Sequence, residues 1–460
     1  MNGACPPPEQ FVDLLACPVC HSELRYAPAP AGDGPGTYGI LTCGNHSFPY
    51  LDGVAVLTGG TIDVHVQIGD SLIQRGPDVR EVVARIRAGR GADALADLLT
   101  PPAPPPAWVA RLPGGRRFHR RSGARERFRR RRRATTARLM VREDSTAQDW
   151  FEWFYRESDD DTELFNHFLC RFGQPRDLAN LELTRVLPDG DDPVLDLAAG
   201  FGHLAHQLRS ERSSRPVVCL DRNLFQLWAA KRFVAPGAWF VCSDADAALP
   251  LASDGFAGAL CGDAFHLLHH KNAAVTELLR CAPDGPIVLA RVGNVLVEPR
   301  EGEELTPQGY FDLADGESVR IVDEDTLVDW YLRGIGPQFA APADVHSLAG
   351  QKWLSLVIGA RAARDHPPHD GMLHARGDLS VNPLYRDSGE GRVVFEFPSP
   401  WFRFENKRMA EYCAREAELP PGTGDIVVDV GVREGLARSF VLLSLPQRYL
   451  RGQRRCVAAP

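Results

Sequence analysis

The stretch "VLDLAAGFG", Val194 to Gly202, decides how this chain is read. Its first four residues read as a buried strand carrying one acid, Asp196. Gly200 and Gly202 then let the backbone turn sharply against a neighbour, because glycine reaches positive φ without steric cost. "HLAHQLRSER" follows as a helix. Its first amides lack partners inside the helix and can receive a negatively charged group. Strand, glycine turn and helix in this order open a parallel α/β unit.

The pattern continues outward. From about Leu181, short apolar runs alternate with helical ones. "PVVCLD", "WFVCSD", "GALCGDA" and "PIVLARV" read as strands, "NLFQLWAAKRFV", "NAAVTELLRCA" and "DEDTLVDWYLRG" as helices, and "WLSLVIGAR" closes the series. This alternation predicts an α/β fold with a doubly wound, mainly parallel sheet. Ligands of such sheets bind at the carboxyl ends of the strands, near the switch in strand order. Asp221 ends the second strand, placed to accept hydrogen bonds from ribose hydroxyls. Asp244 and Ala245 end the third strand, and Asp263 follows the fourth.

With those strand ends in order, residues 181 to 361 resemble class I S-adenosylmethionine-dependent methyltransferases. "VLDLAAGFG" is similar to the family's first motif, which implies that Asp196, Ala198, Ala199, Gly200 and Gly202 surround the methionine part of S-adenosylmethionine. Ala198 stands where a first glycine is common, and Phe201 is bulkier than usual. The resemblance further implies that Asp221 meets the ribose, that Arg222 beside it also lines the cofactor, that Asp244 and Ala245 meet adenine, and that Asp263 and His266 face cofactor and substrate. A dinucleotide-binding dehydrogenase would prefer a third glycine at position 205, which here is Ala205.

The N-terminus carries separate chemistry. "LLACPVCHSELRY" supplies Cys17 and Cys20, and "LTCGNHSFPYLDGVAVL" supplies Cys43 and His46. Two pairs at this spacing form a CxxC…CxxH set, a sulfur-rich tetrahedral site that suits Zn2+. His21 is a rival fourth ligand, but it follows Cys20 directly and would strain the knuckle. Four protein ligands leave no open position, so the expected role is structural. Residues 12 to 57 resemble the zinc ribbon of small methyltransferase-activator proteins, in which a "YP…DGIP" tail recurs; here that tail is "FPYLDGVAV". The start of a bacterial ribosomal-RNA guanine methyltransferase group is also similar. That group spaces its last cysteine and histidine more widely and lacks so long an insert as residues 61 to 180.

Composition bounds the rest. An apolar fraction of 44% in 460 residues supports about three domains. Cysteines outside the knuckles sit singly in apolar runs, as in a reduced, cytoplasmic protein. No signal peptide is evident at "MNGACPPPEQ", and no apolar run approaches the roughly 20 residues of a membrane span. The net charge of −8 is uneven, since Arg116 to Arg133 holds eleven arginines and one glutamate. Such a block can bind nucleic-acid phosphates or stand as a solvated loop. Only four lysines accompany 48 arginines, a bias that inflates any arginine run.

The expected domains are a zinc ribbon (1–60), a helical and arginine-rich insert leading to a lid helix (61–180), the methyltransferase domain (181–365) and a small β-rich appendage (366–460). Helical spacing is read from residue 61 to 100, and the aromatic run from Trp150 to Phe168 reads as a helix able to form a lid. Tail stretches "GRVVFEFPSPWFRFEN", "DIVVDVGV" and "SFVLLSLP" read as strands. Transfer from a sulfonium needs alignment and exclusion of water more than covalent help. His266 is the candidate base, because histidine titrates near neutral pH. The expected acceptor is a small metabolite. RNA, reached through the arginine block, is the alternative, and a non-catalytic cofactor-binding scaffold that recruits a partner is a third.

Overall fold

A computed structural model describes residues 8–30, 36–65, 74–101, 123–157, 161–299, 304–314, 319–341, 344–359, 364–420, 422 and 424–458. The proline-rich linker and Arg116 to Ser122 lie outside the described residues.

The N-terminal part holds strands β1 (Arg25–Pro28), β2 (Tyr38–Thr42), β3 (Ser47–Leu51) and β4 (Val54–Val56), then a hairpin of β5 (Thr61–His65) and β6 (Gln74–Asp78). Helices α1 (Val79–Arg87) and α2 (Gly91–Leu98) follow. The helical spacing read over 61–100 therefore begins only at Val79, where the Asp78 side chain accepts the Arg80 amide as an N-cap. Val82, Val83 and Ile86 form its buried face.

Next come α3 (Gly123–Val141), α4 (Ala147–Phe151) running into a wider π turn (Glu152–Arg156), α5 (Thr162–Leu169) and α6 (Pro175–Thr184). The central part contains β7 (Val194–Leu197), α7 (His203–Glu211), β8 (Val217–Asp221), α8 (Leu224–Ala229), β9 (Trp239–Cys242), β10 (Gly258–Gly262) and α9 (Lys271–Cys281). It continues through β11 (Ile287–Gly293), α10 (Pro307–Phe311), β12 (Val319–Asp323), α11 (Glu324–Arg333) and β13 (Trp353–Ile358).

The appendage adds β14 (Leu379–Val381), β15 (Tyr385–Gly389), β16 (Arg392–Phe395), α12 (Pro400–Glu405), α13 (Met409–Tyr412), β17 (Glu416–Glu418), β18 (Ile426–Val428), α14 (Val430–Arg438), β19 (Leu442–Ser444) and β20 (Arg455–Ala458). Two of its expected strands end early. "SPWFRFEN" turns helical because Ser399 caps the Phe402 amide and Pro400 presets the first turn, and "DVGV" runs into α14.

One 11-stranded sheet organises the molecule, in the order β1-β2-β3-β4-β9-β8-β7-β10-β11-β13-β12. Strands β9, β8, β7, β10 and β11 run parallel to one another, and β13 is antiparallel to both β11 and β12. These central strands are buried on both faces, so they read as unbroken apolar runs. The direction of strand order reverses between β7 and β10, and the glycine turn lies at that switch.

The N-terminal strands continue the same sheet. β4 pairs in parallel with β9, Val54 opposite Phe240 and Val56 opposite Cys242. Leu51 and Val54 to Leu57 are all fully buried there. Trp228 Nε1 donates to Asp52 Oδ2 at 2.8 Å, Lys231 reaches Asp52 Oδ1 at 2.9 Å, and Phe11 stacks on Trp239. Among the described residues no helix is long and apolar enough to cross a membrane.

Candidate functional site

Asp196, Gly200, Gly202, Asp221, Asp244 and Asp263 all lie at the carboxyl ends of neighbouring strands β7, β8, β9 and β10. The turn itself is left-handed at three points: Ala198 (φ 56), Gly200 (φ 54) and Gly202 (φ 68). Ala198 holds this conformation without glycine's freedom, and such local strain collects at binding sites. Asp221 locks the turn, since its Oδ2 accepts the Gly200 amide at 2.9 Å and its Oδ1 the Asn223 amide at 2.8 Å. A carboxylate with two bonds still has lone pairs free for hydroxyl donors. Ala199 is tied back to Leu220 O, and the Arg222 carbonyl accepts the Cys242 thiol. Asp244 is exposed and accepts the Asp246 amide at 3.0 Å, whereas Ala245 is buried.

Two buried acceptors at these strand ends make no hydrogen bond, Asp196 Oδ2 and Asn180 Oδ1. Asn180 lies against Gly262, where an added Cβ would meet its Nδ2 at 3.0 Å. Such orphaned acceptors fit a ligand bearing a cationic amino group, as S-adenosylmethionine does. Burial, reinforced by Asp221, pushes the Asp196 carboxyl up to about 8. An acid raised in the folded state is most comfortable protonated. Its burden on stability is absent below the ordinary carboxylate range and grows as pH climbs toward that raised value. Asp196→Asn should therefore raise the melting temperature of ligand-free protein more at pH 8.5 than at pH 5, as a pair of thermal-unfolding curves would show. An equal gain at both pH values would contradict the assignment.

Aromatic helices pack over the turn, where a lid is expected. Trp150, Phe151 and Phe154 are fully buried, with Phe151 at 4.3 Å from the Phe201 ring and Phe154 stacked at 3.7 Å on Phe225. Tyr155 accepts Gln226 Nε2 at 3.0 Å, and Gln226 Oε1 faces Gly200. The appendage braces the lid from outside. Tyr449 donates to Phe168 O at 2.7 Å and meets His203 Nε2 at 3.0 Å, while His369 Nε2 meets Glu182 at 2.7 Å.

Asp263 is not an exposed ligand but the hub of an ion cluster. Its carboxylate receives Arg171 at 2.9 Å, Arg176 at 3.0 Å and Arg291 at 2.7 Å. Burial alone would raise it, but those three guanidiniums outweigh burial and hold it well below the usual carboxylate range. It is thus a fixed anion and no base. His266 lies in a tight turn just past β10, buried, with its ring 5.8 Å from Trp353 and its carbonyl accepting Lys271. His269 and His270 line an open groove of about 620 Å³ with Asn272, Gly309 and Asp312.

At the far edge of the sheet, Cys17, Cys20, Cys43 and His46 bring their ligand atoms within 4.8 Å of one another. His46 Nδ1 lies 3.6, 3.8 and 3.5 Å from the sulfurs of Cys17, Cys20 and Cys43, and the Cys20 and Cys43 sulfurs are 3.6 Å apart. A tetrahedral zinc with its ordinary bond lengths requires about 3.8 Å between sulfurs and about 3.6 Å from sulfur to nitrogen. The four side chains fit that ion. His21 is not in the cluster.

Comparison with known proteins bears on the central strands. Residues 194–285 match a family model described as "Methyltransferase domain". No curated protein matches the chain. Among solved structures, an Aquifex aeolicus SAM-dependent methyltransferase is similar at 16% identity over 42% of this chain and 90% of its own, with a TM-score of 0.30. A methyltransferase candidate from Bacillus halodurans matches at 16% identity over 40% and 96%, with a TM-score of 0.27. A Haloferax volcanii complex of the Trm112 methyltransferase activator with a methyltransferase candidate matches at 17% over 45% and 98%, at 0.32. Such low scores add no weight to the assignment, which rests on the matched segment. Residues 194–285 carry a methyltransferase domain, set in an α/β chain with an N-terminal Cys/His cluster.

Proposed function

We propose that the chain methylates a small metabolite, with S-adenosylmethionine held along the carboxyl ends of β7 to β10 and with a structural zinc in the N-terminal ribbon. The observation that carries this reading is the covered turn: the lid of Trp150 to Phe172 and the bracing appendage enclose the Gly200 region. A roofed site of this kind favours a molecule that enters a cleft over one that lies across a surface.

S-adenosylmethionine supplies an electrophilic methyl group on a sulfonium. The chain's own work is placement. Gly200 and Gly202 allow close approach of the backbone; Asp221, which fixes the turn, would accept from the ribose, with Arg222 beside it, and Asp244 and Ala245 would border the adenine. Asp196 and Ala199 hold the turn from β7, with Ala198 in its strained conformation. The aromatic lid excludes water, which strengthens every remaining electrostatic contact. His266 is the side chain we assign to take a proton where the acceptor has one to lose, since Asp263 is pinned by arginines.

The ribbon acts in cis. Through β4 it completes the β9 edge, so its zinc supports the sheet that carries the site. This arrangement favours an activator-like role over a role in presenting RNA. The methylated fraction decides the acceptor. Labelled methyl transfer into fractionated extract should appear among small molecules, and transfer into RNA alone would contradict the reading.

RNA has one observation in its favour, the arginine-rich α3. Its C-terminal half is docked, with Arg133 on Asp93 and Asp97 and Arg132 over Trp153, while Arg129 to Arg131 are exposed. Replacing Arg129, Arg130 and Arg131 with glutamine should leave fold, cofactor affinity and turnover unchanged. Filter binding to structured RNA at two salt concentrations checks this. Tight, salt-sensitive binding that the variant loses would make RNA the acceptor.

A further inference from the structure

We infer that the acceptor carries an anionic group, a carboxylate or a phosphate, which is held between Arg176, Arg291 and Lys352 where Glu405 of the appendage stands. This rests on the methyltransferase reading and names the class of its acceptor.

The ion cluster is unevenly satisfied. Asp263 makes three direct hydrogen bonds, and Arg291 Nε donates to Glu324 at 2.7 Å. Glu405 is different. It lies 3.7 Å from Arg176 Nη2, 3.9 Å from Arg291 Nη2 and 3.8 Å from Lys352 Nζ, beyond hydrogen-bond reach of each. Among the described residues it accepts no hydrogen bond, although its side chain is only 15% exposed. A carboxylate withdrawn from water without bonded partners is a poor structural element.

The two guanidinium arms that face it are likewise unbonded, on side chains 7% and 5% exposed. Paired arginine forks at fixed spacing match the planar oxygens of a carboxylate or the oxygens of a phosphate. Arg291 is further constrained. It sits at φ 55, where β11 shifts register against β13, with its guanidinium 3.6 Å over the Trp353 ring. Strain of this kind in mid-sheet marks a side chain aimed for use. The cluster adjoins Asp263 at the end of β10, beside the strands that carry the cofactor residues. Lys352, a third exposed, stands at its rim, where it also pairs with Glu298 at 2.9 Å. Glu405 thus fills, loosely, the place of an anion.

The test uses the full chain with inorganic phosphate as probe in chloride-free buffer. Glu405→Gln should bind S-adenosylmethionine as wild type does, bind phosphate at least about tenfold more tightly, and gain unfolding temperature on its addition. Adding Arg176→Gln should abolish that gain. Asp93→Asn removes a distant carboxylate and should not respond. Equal phosphate affinity in Glu405→Gln and wild type, or an equal response in Asp93→Asn, overturns the inference. A second measurement needs no variant. In ribonuclease-treated small-molecule extract, the methyl acceptor should be retained by an anion-exchange resin and return in the salt eluate; acceptor in the flow-through overturns the proposal. Phosphate binding to Glu405→Gln without any S-adenosylmethionine binding would instead count against the methyltransferase reading alone.

Discussion

Cys17→Ser and Cys43→Ser are each expected to lose the metal and, with it, most of the soluble protein. Structural zinc sites contribute about 10–16 kcal/mol of folding free energy in small ribbons, as much as the whole net stability of a typical domain, about 5–15 kcal/mol. In this chain the damage should spread. The ribbon's β4 is hydrogen-bonded to β9, Ala16 donates to Pro250 O, and Ala252 donates to Leu14 O, so an unfolded ribbon strips the edge of the central sheet. Metal analysis should find about one zinc per wild-type chain. Either variant should show none, with a cooperative unfolding transition shifted far down or absent. A zinc-free variant that unfolds like wild type would separate the ribbon from the catalytic sheet.

The second large effect is expected at the turn. Gly200 adopts φ 54, and a Cβ there would meet Gln226 Oε1 at 3.4 Å. Gly200→Val adds a β-branched side chain to a conformation that disfavours one, and it fills the space the backbone leaves for a ligand. Asp221→Ala removes the proposed ribose acceptor and also frees the Gly200 amide. A lost charged hydrogen bond is worth about 1.5–3 kcal/mol, so each variant should bind S-adenosylmethionine at least about tenfold more weakly. The melting temperature of Gly200→Val should fall, since strain is added. Asp221→Ala leaves the buried Asp196 with one fewer negative neighbour, which offsets part of its own cost.

The sheet was largely legible because parallel strands buried on both faces read as bare apolar runs ending in acids. The places of Asp196, Asp221 and Asp263 at the strand ends were read in this way. The cysteine and histidine set was legible from spacing alone, and the geometry brings all four together. The union of ribbon and central sheet was not. Val54–Val56 pairs with residues nearly two hundred positions away, and three apolar residues carry no local sign of it. The ion cluster was hidden for a related reason. Arg171 follows the aromatic helices, Arg176 comes from α6, Arg291 from a strand and Glu405 from the tail, in a chain where arginine is everywhere. Its one sequence signal is Arg291 itself, a charge inside the apolar run "PIVLARV". Within the arginine-rich block, the pairing of Arg133 with Asp93 and Asp97 carried no sequence sign, because the partners lie about 40 positions away.

Calorimetric titration of S-adenosylmethionine into the purified, zinc-loaded chain tests the central claim most directly. One site per chain is predicted, with affinity lost at least about tenfold in Gly200→Val while an equally folded Arg129→Gln variant binds as wild type does. Absence of binding to well-folded wild-type protein, or unchanged affinity in Gly200→Val, would contradict it.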